Sequence, residues 1–91
     1  MEDEEEIIKV EDSHGVIRHF KGAFAYHRAD GPAVIYPNGD CSWYYNDRLH
    51  REDGPAREWP AEGIFEWWKD GELYEPTAHE IITWKMMKKK E

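Results

Sequence analysis

Two histidine–aspartate pairs supply the residue types in this chain that could do chemistry. His27 and Asp30 are three positions apart, and so are His50 and Asp53. Such a pair could ligate a metal ion or move a proton, because imidazole and carboxylate groups are both ligands and bases. Zinc sites use more imidazole or thiolate ligands than one pair offers, and Cys41 is poorly placed as a further ligand. We therefore expect neither a metal site nor a cofactor.

The two pairs belong to a repeated motif. Residues 27–33 read HRADGPA and residues 50–56 read HREDGPA, a shift of 50 − 27 = 23 residues. Active sites are normally asymmetric, whereas a fixed period of this length is typical of repeat architectures, in which no unit buries its apolar surface alone. The sequence has no phosphate loop, nucleophile elbow or paired-cysteine motif, so we predict no enzymatic activity. The repeated motif residues are His27, Arg28, Asp30, Gly31, Pro32, His50, Arg51, Asp53, Gly54 and Pro55.

The motif has a structural explanation as a turn. An aspartate before Gly-Pro can accept backbone N–H groups, and the proline fixes the start of the next strand. Gly31 and Gly54 are expected to permit positive φ. We expect the two arginines to pair with acids of the neighbouring unit, and the two histidines to stack on aromatic rings or to bond backbone carbonyls.

Each copy of the motif is followed by the pattern of a β-hairpin. Segments 33–36 and 41–45 are rich in β-branched and aromatic residues and flank a Pro-Asn-Gly-Asp turn, which favours two antiparallel strands. The second copy predicts strands at 56–59 and 64–68, around a looser turn at 60–63. The sequence before the first copy shows the same pattern in degenerate form, as a capping repeat would.

The C-terminal segment changes to a helical period. Thr77 and Glu80 form a capping box, and Ile81, Ile82, Trp84, Met86 and Met87 follow in helical register. The pattern predicts one amphipathic helix over about 78–89, whose apolar side covers the more apolar face of the sheet. Lysines occupy its last turns, where cations favour the helix dipole.

These elements predict a mainly β (α+β) fold in one domain over residues 1–91. The architecture is an antiparallel meander of repeated β-hairpins, in a single curled sheet, with one C-terminal amphipathic helix. Its parts are an acidic tail at 1–6, a degenerate first repeat at 7–26, repeats at 27–49 and 50–74, and a helix at 77–90.

The charge of the chain is strongly negative and unevenly distributed. The formal net charge is −8, with a net of −6 in residues 1–12 and +3 in residues 85–91. Such a field repels nucleic acid and favours basic surfaces, so we expect no direct nucleic-acid binding and a protein partner with a basic surface. Solubility alone could also account for the negative charge.

The sequence favours a cytoplasmic protein without a membrane segment. Its N-terminus is acidic and does not resemble a signal peptide, and no stretch approaches the roughly 20 apolar residues that span a bilayer. A single cysteine suits a reducing compartment. If the protein is viral, that compartment is the host cytoplasm.

Aromatic residues are abundant, with 5 Trp, 5 Tyr and 3 Phe. We expect Trp43 and Trp67 to belong to the core. Tyrosine and tryptophan beside acids suit a protein interface, where aromatic residues act as anchors. The predicted partner-binding residues are Tyr44, Tyr45, Trp68, Asp40, Glu66, Asp47 and Asp70.

The motif resembles the HRxDGPA repeats, a MORN-like family of short β-hairpin units. The likeness covers residues 27–49 and 50–73, about half of the chain. Asp47 stands where glycine is usual, and the turn at 60–63 contains an inserted residue. The resemblance implies sheet-forming repeats of the kind common in bacteriophage and large-virus proteins, and it carries no catalytic residue to this chain.

Three functions agree with these features. The first is a non-enzymatic phage-type protein that inhibits a host defence protein, such as an anti-CRISPR, by occupying a basic nucleic-acid-binding surface with acidic and aromatic residues. The second is a binding module for a nucleotide or another planar ligand, with Arg28, Arg51 and Arg57 on the anion. The third is a structural repeat protein that self-associates, for example as a homodimer through the edges of its sheet.

Overall fold

The computed structural model describes residues 6–22 and 24–89. Apart from Glu6, the predicted acidic tail lies outside these residues, and so does position 90 of the predicted helix. Among the described residues there are eleven short strands, a 3-10 turn at Pro60–Glu62 and one helix. The elements are β1 (Ile7–Glu11), β2 (Ile17–Lys21), β3 (Ala25–Tyr26), β4 (Val34–Ile35), β5 (Cys41–Ser42), β6 (Tyr44–Tyr45), β7 (Arg48–Leu49), β8 (Arg57–Trp59), β9 (Ile64–Glu66), β10 (Trp68–Lys69), β11 (Glu72–Leu73) and α1 (Ala78–Lys89).

Seven of the described strands form one antiparallel sheet. Its order is β1-β2-β4-β5-β8-β9, and β3 pairs with β2 beside β4. Two further ladders join β6 to β7 and β10 to β11. The predicted mainly β meander of antiparallel hairpins with one C-terminal helix is confirmed.

The returning strands leave the main sheet at Trp43 and Trp67. The Trp43 N–H donates to the carbonyl of Ala56, at an N–O distance of 2.6 Å, whereas the Trp43 carbonyl accepts the N–H of His50 at 3.0 Å. The chain therefore changes its hydrogen-bonding partner at this residue, from the residue that precedes β8 to the residue that follows β7. For this reason the described strands form three sheets, one of seven strands and two of two strands, where a single sheet was predicted.

The backbone hydrogen bonds repeat with the sequence. His27 N–H donates to His19 O at 3.1 Å, and His50 N–H donates to Trp43 O at 3.0 Å. A third equivalent follows, in which Tyr74 N–H donates to Trp67 O at 3.0 Å. Tyr74 thus takes the place that histidine has in the two motifs.

The register gives the main sheet two different faces. One face, here called the tyrosine face, carries Val34, Ser42 and Arg57 in adjacent positions across three strands. Because side chains alternate along a strand, the neighbouring residues Ile35, Cys41, Glu58 and Phe65 point to the opposite face. The second motif loop lies on that side, since Arg51 contacts Glu58 there, and this side is called the motif face.

The apolar core is small and lies in two places. Val16, Ala33 and Val34 form a buried cluster against which Tyr26 and Tyr44 pack. At the other end of the sheet, Trp67 and Trp84 are 6 % and 4 % exposed, and their ring centroids lie 6.0 Å apart in an edge-to-face contact. The burial of Trp67 agrees with the prediction, whereas Trp43 is only half-buried.

The helix begins at the predicted capping box. Thr77 Oγ1 accepts the N–H of Glu80 at 3.1 Å, and Glu80 Oε1 accepts the N–H of Thr77 at 2.8 Å. Both bonds satisfy N–H groups at the start of the helix, as a capping box does. The described residues include no helix of the length and apolarity needed to cross a membrane.

The apolar side of α1 covers the sheet only in part. Trp84 is buried against Phe65, with ring centroids 5.1 Å apart, but Ile82 and Met86 are 57 % and 60 % exposed. Ile82 and Met86 are separated by four residues, so they share a side of the helix that is rotated away from Trp84. A narrow contact at Trp84 therefore holds the helix.

We expect Trp84→Ala to lower the free energy of unfolding by about 3 kcal/mol, because a large buried ring would leave a cavity between α1 and β9. Urea denaturation followed by far-ultraviolet circular dichroism measures this change. Met86→Ala is the matched control on the exposed side of the same helix, and it should cost less than about 0.5 kcal/mol. Equal losses for the two variants would contradict this account of helix docking.

Candidate functional site

The motif arginines fold back over their own loops. Arg28 Nε donates to Asp30 Oδ1 at 3.1 Å, and its Nη1 donates to the carbonyl of Pro32 at 3.1 Å. Arg51 repeats both bonds with Asp53 at 3.0 Å and with the carbonyl of Pro55 at 3.1 Å. The expected pairing with acids of the neighbouring unit is therefore wrong, since each arginine closes its own motif.

The motif glycines are required for space. Neither Gly31 nor Gly54 has a positive φ, so the expected role in backbone conformation is wrong. A Cβ placed on Gly31 would lie 2.7 Å from Cζ of Arg28, and one on Gly54 would lie 2.7 Å from Cζ of Arg51. A side chain at either glycine would therefore have to displace the guanidinium group from the aspartate and the proline carbonyl that it bonds.

The motif histidines connect each loop to the following β-turn. His27 Nδ1 accepts the N–H of Asn46 at 2.8 Å, and His50 Nδ1 accepts the N–H of Asp70 at 2.9 Å. His27 is 1 % exposed and packs on the ring of Tyr45, with centroids 4.3 Å apart. The stacking agrees with the prediction, but the partners are backbone donors and not carbonyls. In both histidines the Nδ1 lone pair is occupied, which removes this nitrogen as a metal ligand or a base.

Asp47 adopts a left-handed backbone conformation at some conformational cost. Its φ is +66°, a value that L residues seldom adopt. Its N–H donates to the carbonyl of Tyr26 at 2.7 Å, and its Oδ1 accepts the N–H of Tyr26 at 3.0 Å. The second bond uses the side chain that glycine lacks, so Asp47 has a structural role in joining this turn to β3.

The seven predicted partner-binding residues are divided between the two faces. Tyr44 and Tyr45 are consecutive strand residues, so their rings point to opposite sides of the ladder. Tyr44 is half-buried and belongs to the tyrosine face, while Tyr45 is 42 % exposed beside the motif loops. Asp40 lies in the same groove as Tyr44, and Glu66 and Trp68 are joined by a 3.0 Å hydrogen bond. Asp47 and Asp70 lie in the two β-turns after β6 and β10.

One surface depression, here called the motif cleft, lies between the repeated loops. It has a volume of about 590 Å³. Tyr45 and His50 stand at its centre with ring centroids 6.0 Å apart, and His50 Nε2 lies 2.7 Å from Glu52 Oε2. Sequence reasoning missed Glu52, although it occupies the variable position of the second motif. The lining residues are Arg28, Ala29, Asp30, Trp43, Tyr45, His50, Arg51, Glu52 and Asp53.

The acids and bases of the motif cleft differ in exposure. The side chain of Asp30 is 86 % exposed and that of its partner Arg28 is 29 % exposed. In the second loop the values are 59 % for Asp53 and 11 % for Arg51. Arg51 also bonds Glu58 at 2.9 Å, and its Cζ lies 3.9 Å from the ring centroid of Trp43. The positive charges are therefore turned inward, and carboxylates form the outer rim.

Another depression, here called the tyrosine groove, lies on the opposite face. It has a volume of about 620 Å³ and includes Tyr26, Tyr36, Tyr44 and Trp59. The prediction missed Tyr36 and Trp59. Each precedes a proline in its repeat, and strand alternation places both on the same face of the sheet. Arg57 stacks over Trp59, with Cζ 4.7 Å from the ring centroid.

Titration in and around the tyrosine groove follows from local contacts. The hydrogen bond from Arg18 at 2.8 Å, assisted by the N–H groups of Val16 and His14, lowers the pKa of Asp12 to about 2. Burial raises the pKa of the Tyr44 hydroxyl, and burial also raises the pKa of the Cys41 thiol to about 11. Cys41 is thus a protonated, unreactive thiol at neutral pH.

Comparisons with known proteins find no match to this chain among family models, curated proteins or solved structures. The likeness to the HRxDGPA repeats therefore depends on the motif residues alone. Within residues 6–22 and 24–89, no three His, Cys, Asp or Glu side chains are grouped to hold a metal ion.

We predict that Gly31→Ala lowers the free energy of unfolding by about 1–3 kcal/mol, because the new methyl group overlaps the guanidinium of Arg28. The same substitution in an Arg28→Ala background should be neutral or slightly stabilising, since the space is then empty and alanine restricts the unfolded chain. Urea denaturation of the four proteins gives the coupling as a double-mutant cycle. A cost that is unchanged by removal of Arg28 would show that the glycine is needed for another reason.

Cys41 should react slowly with iodoacetamide at pH 8 in the folded protein. Its pKa of about 11 leaves a thiolate population roughly a hundredfold below that of an ordinary cysteine. Mass spectrometry of samples quenched over time measures the rate, and the same protein in urea provides the reference. Equal rates in the two conditions would contradict the burial of this thiol.

Proposed function

We propose that this chain is a non-enzymatic binding module of the inhibitor or adaptor type, which engages a basic protein surface through the motif cleft. The observation that carries the proposal is the inward folding of Arg28 and Arg51, which leaves Asp30 and Asp53 on the outside. A net charge of −8 extends the negative field beyond the cleft. Tyr45 offers an exposed ring among these acids, the combination from which interface anchors are built.

The proposal is supported by the structural hydrogen bonds of the histidines and aspartates that were candidates for catalysis. His27 and His50 accept backbone N–H groups at Nδ1, and Asp30 and Asp53 hold arginines. The elevated pKa of Cys41 disfavours a nucleophilic role.

The nucleotide alternative has less support, because two of its three anion ligands are already occupied. Arg28 and Arg51 bond aspartates and proline carbonyls of their own loops. Arg57 alone would have to hold the phosphate, and it lies on the other side of the sheet, in the tyrosine groove. Acids at the rim of the motif cleft would repel the same phosphate.

The partner class that suits this surface is a protein with a basic channel for nucleic acid. Carboxylates spaced along repeated loops can occupy positions that phosphates would otherwise take, and the tyrosine can stack where a base would lie. Host defence nucleases, including CRISPR effectors, have such channels. Inhibition by occupation of that channel is the function we propose within this class.

Glu52→Lys should weaken binding by about tenfold or more, because it reverses a charge that is 75 % exposed at the cleft. Tyr45→Ala should weaken it similarly through loss of the anchor. Glu62→Lys is the matched control: it changes the net charge equally but does not line the cleft. The assay captures heparin-binding proteins from a host lysate on each variant, quantifies them by mass spectrometry, and repeats the capture across a salt series and with competing DNA.

The proposal predicts capture that falls with salt and with DNA, and that is sensitive to Glu52 and Tyr45 but not to Glu62. Capture that is insensitive to salt, or equal losses for Glu52→Lys and Glu62→Lys, would reject the motif cleft as the binding surface. The second result would attribute retention to net charge alone.

A further inference from the structure

The first strand is an open edge of the main sheet. β1 lies at one end of the strand order, and its pairing partner among the described strands is β2. All five of its residues are exposed, including Ile8 at 52 % and Val10 at 45 %. An edge strand that displays apolar side chains is a template for pairing with another strand.

The backbone of β1 presents a regular set of hydrogen-bonding groups at this edge. Asp12 N–H donates to the carbonyl of Val16, its opposite residue in the hairpin, at 3.0 Å. Hydrogen-bonded and non-bonded pairs alternate in an antiparallel ladder, so even-numbered residues of β1 bond to β2. The N–H and carbonyl groups of Ile7, Lys9 and Glu11 consequently point away from the sheet.

The charges on β1 are complementary to those of an antiparallel copy of itself. Lys9 and Glu11 lie on one face of the strand, two residues apart. A twofold axis through Val10 would place each Lys9 opposite Glu11 of the second copy and would bring the two Val10 side chains together. Opposite charges directly across a ladder stabilise it, and the outward groups of residues 9 and 11 are those that must bond in this register.

We propose that a second copy of this chain pairs antiparallel with β1, in the register centred on Val10, to form a dimer with one continuous sheet. A register centred on Lys9 would oppose two ammonium groups, which is destabilising. The dimer is independent of the proposed function, since it uses the edge of the sheet and leaves the residues of the motif cleft out of the new ladder.

The test is sedimentation equilibrium of the full chain over a wide concentration range. Lys9→Glu and Glu11→Lys each oppose like charges in two places, so each should weaken dimerisation by about tenfold or more. A one-to-one mixture of these two variants should restore the affinity. One chain of the mixed dimer is acidic at positions 9 and 11 and the other is basic at both. Opposite charges therefore face each other in both places. The matched controls Lys85→Glu and Glu72→Lys make the same charge changes away from β1 and should leave the affinity unchanged.

A second variant tests the backbone contribution. Lys9→Pro removes an outward N–H without removing a β1–β2 hydrogen bond, so it should abolish the dimer and leave the circular dichroism spectrum unchanged. If that variant unfolds, the mixture of Lys9→Glu and Glu11→Lys still tests whether the dimer forms in this register. A wild-type chain that stays monomeric throughout, species larger than a dimer, or a mixture no tighter than its components would overturn the proposal.

Discussion

The fold depends on a guanidinium group held over a glycine in each motif loop. In the second loop, Arg51 directs its donors to Asp53, the carbonyl of Pro55 and Glu58, and its planar face covers Trp43. One side chain thereby fixes the loop, satisfies a buried carbonyl and shields an aromatic ring. The same arrangement turns the positive charge inward. The packing of the arginine therefore also determines that carboxylates are exposed at this surface.

The hairpin order, the C-terminal helix and its capping box follow from the sequence, because Asn-Gly turns, Thr-x-x-Glu and strand alternation act through local chemistry. The role of Gly31 could not be predicted from sequence alone, since glycine is used both for positive φ and for space, and only the position of Arg28 distinguishes the two. Strand alternation alone would have predicted that Tyr44 and Tyr45 point to opposite faces. The convergence of the two motif loops on one cleft was not, because it depends on tertiary packing.

The middle and last structural units differ in what covers the central residue of the returning strand. Arg51 lies over Trp43 in the middle unit, and the edge of Trp84 packs on Trp67 in the last. A Cβ on Gly54 would also lie 2.8 Å from Cδ1 of Trp84. Trp84 of the helix thus covers Trp67, as the arginine of the second motif covers Trp43. This explains why the side of α1 that contacts the sheet is so narrow.

The two ends of the sheet are consequently unequal. At the C-terminal end, β9 has three residues, and Trp84 packs on its Phe65. At the N-terminal end, all five residues of β1 are exposed, and the backbone groups of Ile7, Lys9 and Glu11 point away from the sheet. Repeats that pair edge to edge through both ends would form open filaments unless the rotation between copies closed a ring. In the dimer that we propose, the self-complementary charge pattern of β1 would make a single twofold contact, and an assembly that uses this edge alone would stop at two chains.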